Sequence, residues 1–321
     1  MKNLEIYTSE KVKRRIRKSS LNTFRYIMLV LIGYIVLYPI FYMLSSSVKS
    51  ERALLDVRFI WLPRYFSDIP FKTAFEYLDF LPSLFQTLTV QIVSALIEVL
   101  VCAFVAYGFA RFNFKSKPIA YIFLMLTLMI PLPMYSMSLA VNFRQLDFLG
   151  IFTLLNSITG IDLRLNLFDT GFVYWLPSIL GVGVRSGMLI YIYIQFFSGL
   201  PKELEDAAYV DGSGPIKTFF RIALPSSGVV VVTATVLSIV WHWNETYMAQ
   251  LCFSANNRPL SVMLSNIEMP LQIDGMRIPG DAMAPPIVFA GCLLFIVLPL
   301  SLYLILQRKF VKSIDRVGIT G

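Results

Sequence analysis

Ionisable side chains inside long apolar runs are the first places where this chain could do chemistry. Glu98 is the one charge between residues 82 and 110, and Arg185 is the one charge between residues 170 and 200. Such a charge is costly at membrane depth unless it is paired, hydrated or bound to a ligand. Three partners are open to Arg185, in decreasing order of expectation: Glu98, another subunit, and an anionic group of a substrate. We predict that Glu98 and Arg185 are energetically coupled, because both fall in the middle third of their runs.

Uncharged polar side chains accompany Glu98 along its run. They recur at helical spacing and so share one stripe of a helix, which consists of Gln91, Ser94, Glu98 and Cys102. Such a stripe either lines a polar pathway or makes hydrogen bonds between helices, and the sequence leaves both open. Gln195 and Asn244 are weaker candidates for lining the same pathway.

The chain offers no catalytic constellation. Its one histidine, His242, lies between two tryptophans, where we expect an aromatic role at a membrane interface. There is no glycine-rich phosphate loop, and the three cysteines have neither metal-ligand spacing nor a disulfide pattern. We therefore expect no enzyme activity, no cofactor and no metal in this chain.

The composition places these residues in a membrane protein. Of 321 residues, 56% are hydrophobic and 15% are charged, which is unusual for a soluble domain. Six apolar runs reach the length of about 20 residues that a helix needs to span a bilayer. They lie at residues 26–48, 82–110, 118–143, 170–200, 222–244 and 282–307. We predict an all-α membrane protein of six transmembrane helices, with a basic segment at 1–25, a transmembrane domain at 26–307 and a tail at 308–321.

The distribution of Lys and Arg predicts the orientation. Eight lie in the first 25 residues, three after the second run, three after the fourth and four in the tail, making 18 on one side and 9 on the other. Because the richer side is usually cytoplasmic, both termini are predicted to be cytoplasmic. The basic N-terminal segment accounts for most of the net charge of +8, so the charge favours a lipid surface and not nucleic acid.

A polar island at residues 201–225 separates the fourth and fifth runs on the predicted cytoplasmic side. Pro201 suits a first helical turn, and the acidic residues that follow suit a helix N-terminus. Gly212 and Gly214 then allow the chain to turn. We predict a short helix that docks against another protein through one face, formed by Leu204, Ala207, Ala208 and Asp211.

This island closely resembles the EAA loop of ATP-binding-cassette importer permeases, which reads Glu-Ala-Ala, three residues, Gly, nine residues and Ile-x-Leu-Pro. The chain has Asp206-Ala207-Ala208, then Gly212, then Ile-Ala-Leu-Pro at 222–225. Asp replaces the usual Glu and Glu205 precedes it, so either carboxylate could face the ATPase.

Further segments resemble the carbohydrate branch, near the smaller permease of the maltose importer: Ala-Tyr-Gly-Phe-Ala-Arg-Phe at 106–112, Trp-Asn-Glu at 243–245, and 307–311 with Gly318 and Gly321.

The resemblance implies a permease subunit in the bacterial plasma membrane that carries an oligosaccharide. It implies a second permease subunit, two cytosolic ATPase subunits that hydrolyse the ATP, and an extracellular solute-binding protein. The connection at 156–175 is longer than is usual in the family, so the resemblance assigns it no role; a contact with the binding protein is open to it. The implied ATPase-coupling residues are Glu205, Asp206, Ala207, Ala208, Asp211 and Gly212, and the pathway candidates are Glu98, Arg185, Gln195 and Asn244. Two alternatives remain: an ion-coupled secondary transporter, and an importer permease for peptides or amino acids.

Overall fold

The computed structural model of the chain is mostly α-helical. It describes residues 2–50, 53, 65–147, 150–160, 164–267 and 284–317. Within these ranges there is no β-strand beyond two isolated bridges, Lys49 with Phe66 and Leu146 with Leu165. The fold class predicted from the apolar runs is therefore confirmed at the level of an all-helical chain.

The helices are numbered here in chain order. The first part of the chain forms α1 (Lys2–Ser46), α2 (Ile69–Tyr77), α3 (Phe80–Arg111), α4 (Lys117–Met129), α5 (Leu132–Arg144) and α6 (Ile151–Thr159). The middle forms α7 (Phe172–Ile179), α8 (Ser186–Gly199), α9 (Glu203–Val210), α10 (Pro215–Ser226) and α11 (Gly228–Trp243). The last part forms α12 (Tyr247–Cys252), α13 (Leu260–Ser265) and α14 (Ala284–Val317).

Three of the six predicted spans are single long helices. The apolar parts that could cross a membrane are Ser19–Ser46 of α1, all of α3, and Pro285–Ile305 of α14. The α1 helix also continues backwards through the basic segment to Lys2. Within α3, residues Thr87–Ile92 form a π-helical turn, an irregularity often found at functional sites.

The third and fifth predicted spans are bent pairs of helices and not straight helices. The α4 and α5 helices meet at 101°, where Ile130 and Pro131 are both extended. Proline cannot donate a backbone hydrogen bond and disfavours helix at the residue before it, which explains this break. The α10 and α11 helices meet at 83° around Ser227. Counting each bent pair as one span gives up to five candidate spans among the described residues.

The fourth predicted span is not a continuous helix. It is divided into α7 and α8 by residues 180–185, where Gly181 has φ +71° and Arg185 has φ +59°. A left-handed residue ends a helix, so the expectation of one helix from residue 170 to 200 is wrong. The segment is apolar over a length that could span a membrane, but its backbone changes direction in the middle.

The chain divides into two compact units. One contains residues 1–73 and 276–293, and within it the rings of Tyr42 and Phe289 lie 5.6 Å apart. The other contains residues 74–275 and 294–321, and its central element is α3, which packs against α7, α8 and α11. Ala95, Ala103 and Ala106 on α3 are fully buried. Small side chains of this kind let membrane helices approach closely.

Candidate functional site

The polar island folds as the sequence predicts, with a short helix followed by a turn. The α9 helix begins at Glu203, and Glu203, Glu205 and Asp206 occupy its first turn. Pro201 lies two residues before the helix and is therefore not part of its first turn. Gly212 has φ +76°, a conformation that a side chain disfavours, whereas Gly214 has an ordinary φ of −76°. Gly212 is thus the residue that the turn requires.

Glu205 is held by two side chains from the last turn of α3. Its Oε1 accepts a hydrogen bond from Arg111 Nε at 2.7 Å, and its Oε2 accepts one from the Tyr107 hydroxyl at 3.0 Å. The side chains of Arg111 and Glu205 are buried, and Arg111 Nη2 also donates to the Leu200 carbonyl at 3.0 Å. A buried ion pair with additional hydrogen bonds fixes the position of α9 against the end of α3.

The two neighbouring carboxylates of α9 differ in burial. Glu205 is buried within the chain, whereas Asp206 is exposed. Ala208 is likewise buried while Ala207 is exposed, so the predicted docking face through Ala207, Ala208 and Asp211 is divided and not a single exposed surface. The side chain of Leu204 lies outside the described residues. What faces outward is an outer surface formed by Asp206, Ala207, Tyr209, Val210, Asp211 and Gly212.

Glu98 lies at the centre of a buried polar cluster. The Ser186 hydroxyl donates to its Oε1, and the Ser238 hydroxyl donates to its Oε2 at 3.3 Å. These donors come from the start of α8 and the middle of α11, so the cluster joins three helices. The whole stripe of Gln91, Ser94, Glu98 and Cys102 is fully buried. Glu98 and Cys102 bond to other helices, whereas Ser94 donates to the Val90 carbonyl of its own helix.

His242 belongs to this cluster and not to a membrane interface. It is fully buried, and its Nε2 lies 3.5 Å from Glu98 Oε2. Its Nδ1 lies 3.0 Å from the Ser238 carbonyl, which can only accept, so Nδ1 carries a proton and Nε2 faces the carboxyl group. The expectation of an exposed aromatic role for His242 is therefore wrong. Its flanking tryptophans suggested an interface, but Ser238 one turn earlier gives the ring a polar neighbour inside the bundle.

Arg185 does not pair with Glu98. Both residues are described, and among the ion pairs of the described residues none joins them. The Arg185 guanidinium instead lies over the Trp241 ring, with Cζ 5.3 Å from the ring centroid. The backbone break before α8 explains the difference, because it turns Ser186 towards Glu98 while the preceding Arg185 faces away.

Arg185 and Asn244 line a cavity of about 570 Å³. The cavity lies where α4 and α5 bend and where α11 ends, and aromatic side chains contribute to it through Tyr135, Trp241 and Tyr247. Its size and its mixture of aromatic walls with a few polar groups are typical of a small-molecule site. Of the four pathway candidates, Arg185 and Asn244 therefore share one cavity. Glu98 is buried in the polar cluster, and Gln195 is exposed elsewhere on α8.

Glu245 follows Asn244 but is turned into the protein. Its carboxylate accepts hydrogen bonds from the Tyr174 hydroxyl and from the Met248 amide, the latter at 3.0 Å. Ser261 also donates to its carbonyl at 2.8 Å. Sequence reasoning did not assign Tyr174 or Glu245 a role, since their contact joins residues 71 positions apart. It likewise missed that Tyr107 and Arg111 hold Glu205, although both lie within the Ala-Tyr-Gly-Phe-Ala-Arg-Phe segment that carries the resemblance.

Two aspartates make hydrogen bonds in and just before the connection at 156–175. Asp147 accepts hydrogen bonds from the Thr153 hydroxyl and from the amides of Phe152 and Thr153, at 2.8 and 3.1 Å for the amides. The Thr153 hydrogen bond is the main cause that holds the pKa of Asp147 below its usual value. Asp169 binds the amide and hydroxyl of Ser254, each at 2.8 Å. A contact of this connection with a binding protein stays a prediction.

Comparison with known proteins gives the family of the chain. Residues 98–316 match the family described as binding-protein-dependent transport system inner membrane component. The chain is 26% identical over 287 residues to the sulfoquinovosyl glycerol transport system permease protein SmoH of Agrobacterium fabrum, covering 89% of each. It is 25% identical over 292 residues to the probable starch degradation products transport system permease protein AmyC of Thermoanaerobacterium thermosulfurigenes, covering 89% of this chain and 92% of the relative.

A solved structure shares the fold. It is described as a bacterial ABC transporter involved in the import of the acidic polysaccharide alginate, and the match has a TM-score of 0.68 at 18% identity. The match covers 90% of this chain and 96% of the other. Because the family match spans more than half of the sequence, the chain belongs to the binding-protein-dependent transport system inner membrane components. It is a permease subunit of a bacterial ABC transporter and resides in the plasma membrane.

Proposed function

We propose that this permease carries an oligosaccharide into the cell, with a second permease subunit, two cytosolic ATPases and an extracellular solute-binding protein as partners. The cargo class is supported by relatives whose names state sugar-derived cargo, SmoH and AmyC. The Trp-Asn-Glu segment at 243–245 adds support, because its Asn244 lines the cavity with Arg185. The names include both a charged and an uncharged cargo, so they support sugar without specifying its charge.

The observation that carries the mechanism is that Glu205 is buried against α3 while the neighbouring Asp206 is exposed. Glu205 fastens α9 to the end of α3 through Arg111, while Asp206 and Ala207 stay exposed for an ATPase. A force applied to the outer surface of α9 is then transmitted directly into α3, the central helix of the larger unit. Closure of the ATPases on ATP binding would move α3 and the helices packed on it, giving alternating access to the cavity.

We further propose six membrane spans with both termini in the cytoplasm. The three long helices and the two bent pairs supply five, and α7 with α8 supplies the sixth as a broken helix. Broken helices are tolerated at membrane depth where they are buried in protein or line a cavity. The break at 180–185 meets this condition, since Val184 and Arg185 line the cavity. This arrangement puts α9 on the cytoplasmic side, together with the majority of the basic residues.

A crosslinking experiment tests the coupling role. In the assembled transporter, Ala207→Cys should crosslink to a cysteine on the ATPase surface and Ala208→Cys should not, because Ala207 is exposed and Ala208 is buried. The two variants change adjacent alanines in the same way, so each controls for the other. Equal crosslinking of both, or of Ala208→Cys alone, would contradict the assignment of the outer surface.

A labelling experiment tests the orientation. Ser213→Cys lies in the turn after α9, and Asn256→Cys lies in the connection after α12. We expect a membrane-impermeant thiol reagent to label Asn256→Cys in intact cells and Ser213→Cys only after permeabilisation. Of the native cysteines, Cys102 and Cys252 are buried and Cys292 is half-buried, so labelling of the parent chain gives the background to subtract. The reverse pattern would refute the proposed orientation.

A further inference from the structure

The cavity shared by Arg185 and Asn244 contains a cation that its surroundings do not neutralise. Arg185 is exposed to the cavity, and its side chain has one contact among the described residues, with the face of Trp241. Stacking on an aromatic face leaves the N–H donors at the edge of a guanidinium free. No carboxylate of a described residue lies within ion-pair distance of it.

Among the described residues, the one carboxylate that borders the cavity is already engaged. Glu245 is among the lining residues, but its two oxygens accept hydrogen bonds from Tyr174 and from the Met248 amide. Glu245 is also 5% exposed, whereas Arg185 is open to the cavity. The cavity therefore presents a guanidinium with unfilled donors, beside aromatic walls.

The strained backbone conformation of Arg185 favours a functional role for its side chain. Arg185 has φ +59°, a conformation that costs free energy for a residue with a side chain. A glycine or an asparagine would relieve this cost at the start of α8. Residues held in such conformations cluster at ligand sites, where surrounding structure fixes the side chain in a particular direction.

We propose that the cargo of this permease is an acidic oligosaccharide and that Arg185 binds its carboxylate or sulfate group in this cavity. Guanidinium is the side chain best suited to this contact, since it can bind such an oxyanion through two parallel hydrogen bonds. The rings of Tyr135, Trp241 and Tyr247 supply the apolar surface for the sugar, and Asn244 supplies a polar group at the same wall. This inference rests on the proposed function and names the chemical class of its substrate.

The competing explanation is that Arg185 meets an acidic residue of the second permease subunit. Both explanations use the same chemistry, an oxyanion on the guanidinium edge, but they differ in what happens when the residue is changed. A subunit contact affects assembly, whereas a cargo contact affects only the binding of charged sugars. The experiment therefore measures both.

The experiment uses the assembled transporter in nanodiscs and two matched pairs of sugar probes. One pair is trigalacturonate and its methyl ester, and the other is sulfated maltotriose and maltotriose. We expect the acidic member of at least one pair to bind the unaltered transporter more tightly than its neutral partner. A hydrogen-bonded charge contact of this kind corresponds to about a 10- to 100-fold difference in half-saturating concentration. Arg185→Gln should remove this difference, and Arg185→Lys should keep part of it.

Arg144 provides the matched control. Its guanidinium also lies over an aromatic ring, with Cζ 4.3 Å from the centroid of Phe168, but it does not line the cavity. Arg144→Gln should leave the binding of all four probes unchanged. Co-purification of the second permease should be unaffected by Arg185→Gln, and its loss would overturn the proposal in favour of a subunit contact.

The remaining outcomes separate this inference from the proposed function. If neutral probes bind as tightly as acidic ones, or if Arg185→Gln weakens both equally, the acidic cargo is refuted while oligosaccharide import stands. If no probe binds the unaltered transporter, both the acidic cargo and the sugar cargo are rejected.

Discussion

Replacing Tyr107 by phenylalanine removes the hydroxyl that donates to Glu205 and that also interacts with the side chain of Tyr209 on α9. The Tyr107 ring lies 5.7 Å from that of Phe197 and 5.2 Å from that of Phe219, contacts that phenylalanine retains. The Arg111 contact with Glu205, at 2.7 Å, is also retained. Tyr107→Phe therefore isolates the contribution of this hydroxyl, through Glu205 and Tyr209, to the docking of α9.

The burial of the site sets the size of the effect. A hydrogen bond to a charged group contributes about 1.5–3 kcal/mol, which corresponds to about a 10- to 100-fold change in an equilibrium constant. Arg111→Leu is harsher, because it leaves the Glu205 carboxylate buried without a cation, at a cost of about 3–5 kcal/mol. Arg111 and Glu205 side chains are 6% and 7% exposed, so solvent screening reduces these values little.

Hydrogen–deuterium exchange of the assembled transporter measures how strongly α9 is held against α3. The amides of residues 203–210 should exchange about 10- to 100-fold faster in Tyr107→Phe, and faster still in Arg111→Leu. Asp206→Asn alters the neighbouring carboxylate, which is exposed and makes neither of these contacts, so it should change the exchange less than Tyr107→Phe does. The double variant Arg111→Leu, Glu205→Leu should exchange more slowly than Arg111→Leu alone, since no charge is left buried.

Two results would refute this reasoning. One is unchanged exchange of α9 in Tyr107→Phe together with less than about a tenfold increase in Arg111→Leu, which would mean that the pair does not hold the helix. The other is strict additivity of the Arg111→Leu and Glu205→Leu effects, which would mean that the two charges do not interact.

Two further predictions concern glycines. Gly212→Pro should abolish transport in an uptake assay while leaving membrane insertion intact, because φ is +76° and the Gly212 amide donates to the Tyr209 carbonyl. Gly214→Pro, at φ −76°, should be tolerated in the same assay. Gly183→Ala should lower the thermal stability of the purified complex by about 1–3 kcal/mol, because its Cβ would lie within 3.0 Å of the buried polar cluster. Gly199→Ala, which meets no atom within 4 Å, should not be destabilising.

The short helix and its turn could be predicted from the sequence because both depend on local chemistry. Acidic residues at 203–206 favour a helix N-terminus whatever surrounds them, and Gly212 is needed wherever φ is positive. The long helices α1, α3 and α14 were predictable for a similar reason, since an apolar run of spanning length has few other ways to satisfy its backbone. How these helices contact other subunits, by contrast, does not follow from the local sequence.

The helix breaks and the contact of Arg185 with Trp241 could not be predicted from the sequence. Hydropathy shows how apolar a segment is, but not the direction of its backbone or of its side chains. Pro131 signals a kink, yet the bend at Ser227 has no proline at the break itself. The depth of Glu98 and Arg185 along their runs matched, but depth says nothing about which way a side chain points around a helix. The left-handed backbone at Arg185 decides that direction, and a pattern of apolar residues does not contain it.

The right-angled turn at Ser227 has a mechanical consequence. The α10 helix has twelve residues and is therefore about 18 Å long, and it leaves the end of α11 at 83°. The α10 helix is thus a lever arm attached to α11, with Pro215 at its far end. A rotation of about 10° about Ser227 would carry Pro215 through about 3 Å, so spin-label distances between the two helices would report the stroke. A small rotation of α11 is then enough to produce an ångström-scale displacement at the Pro215 end of α10.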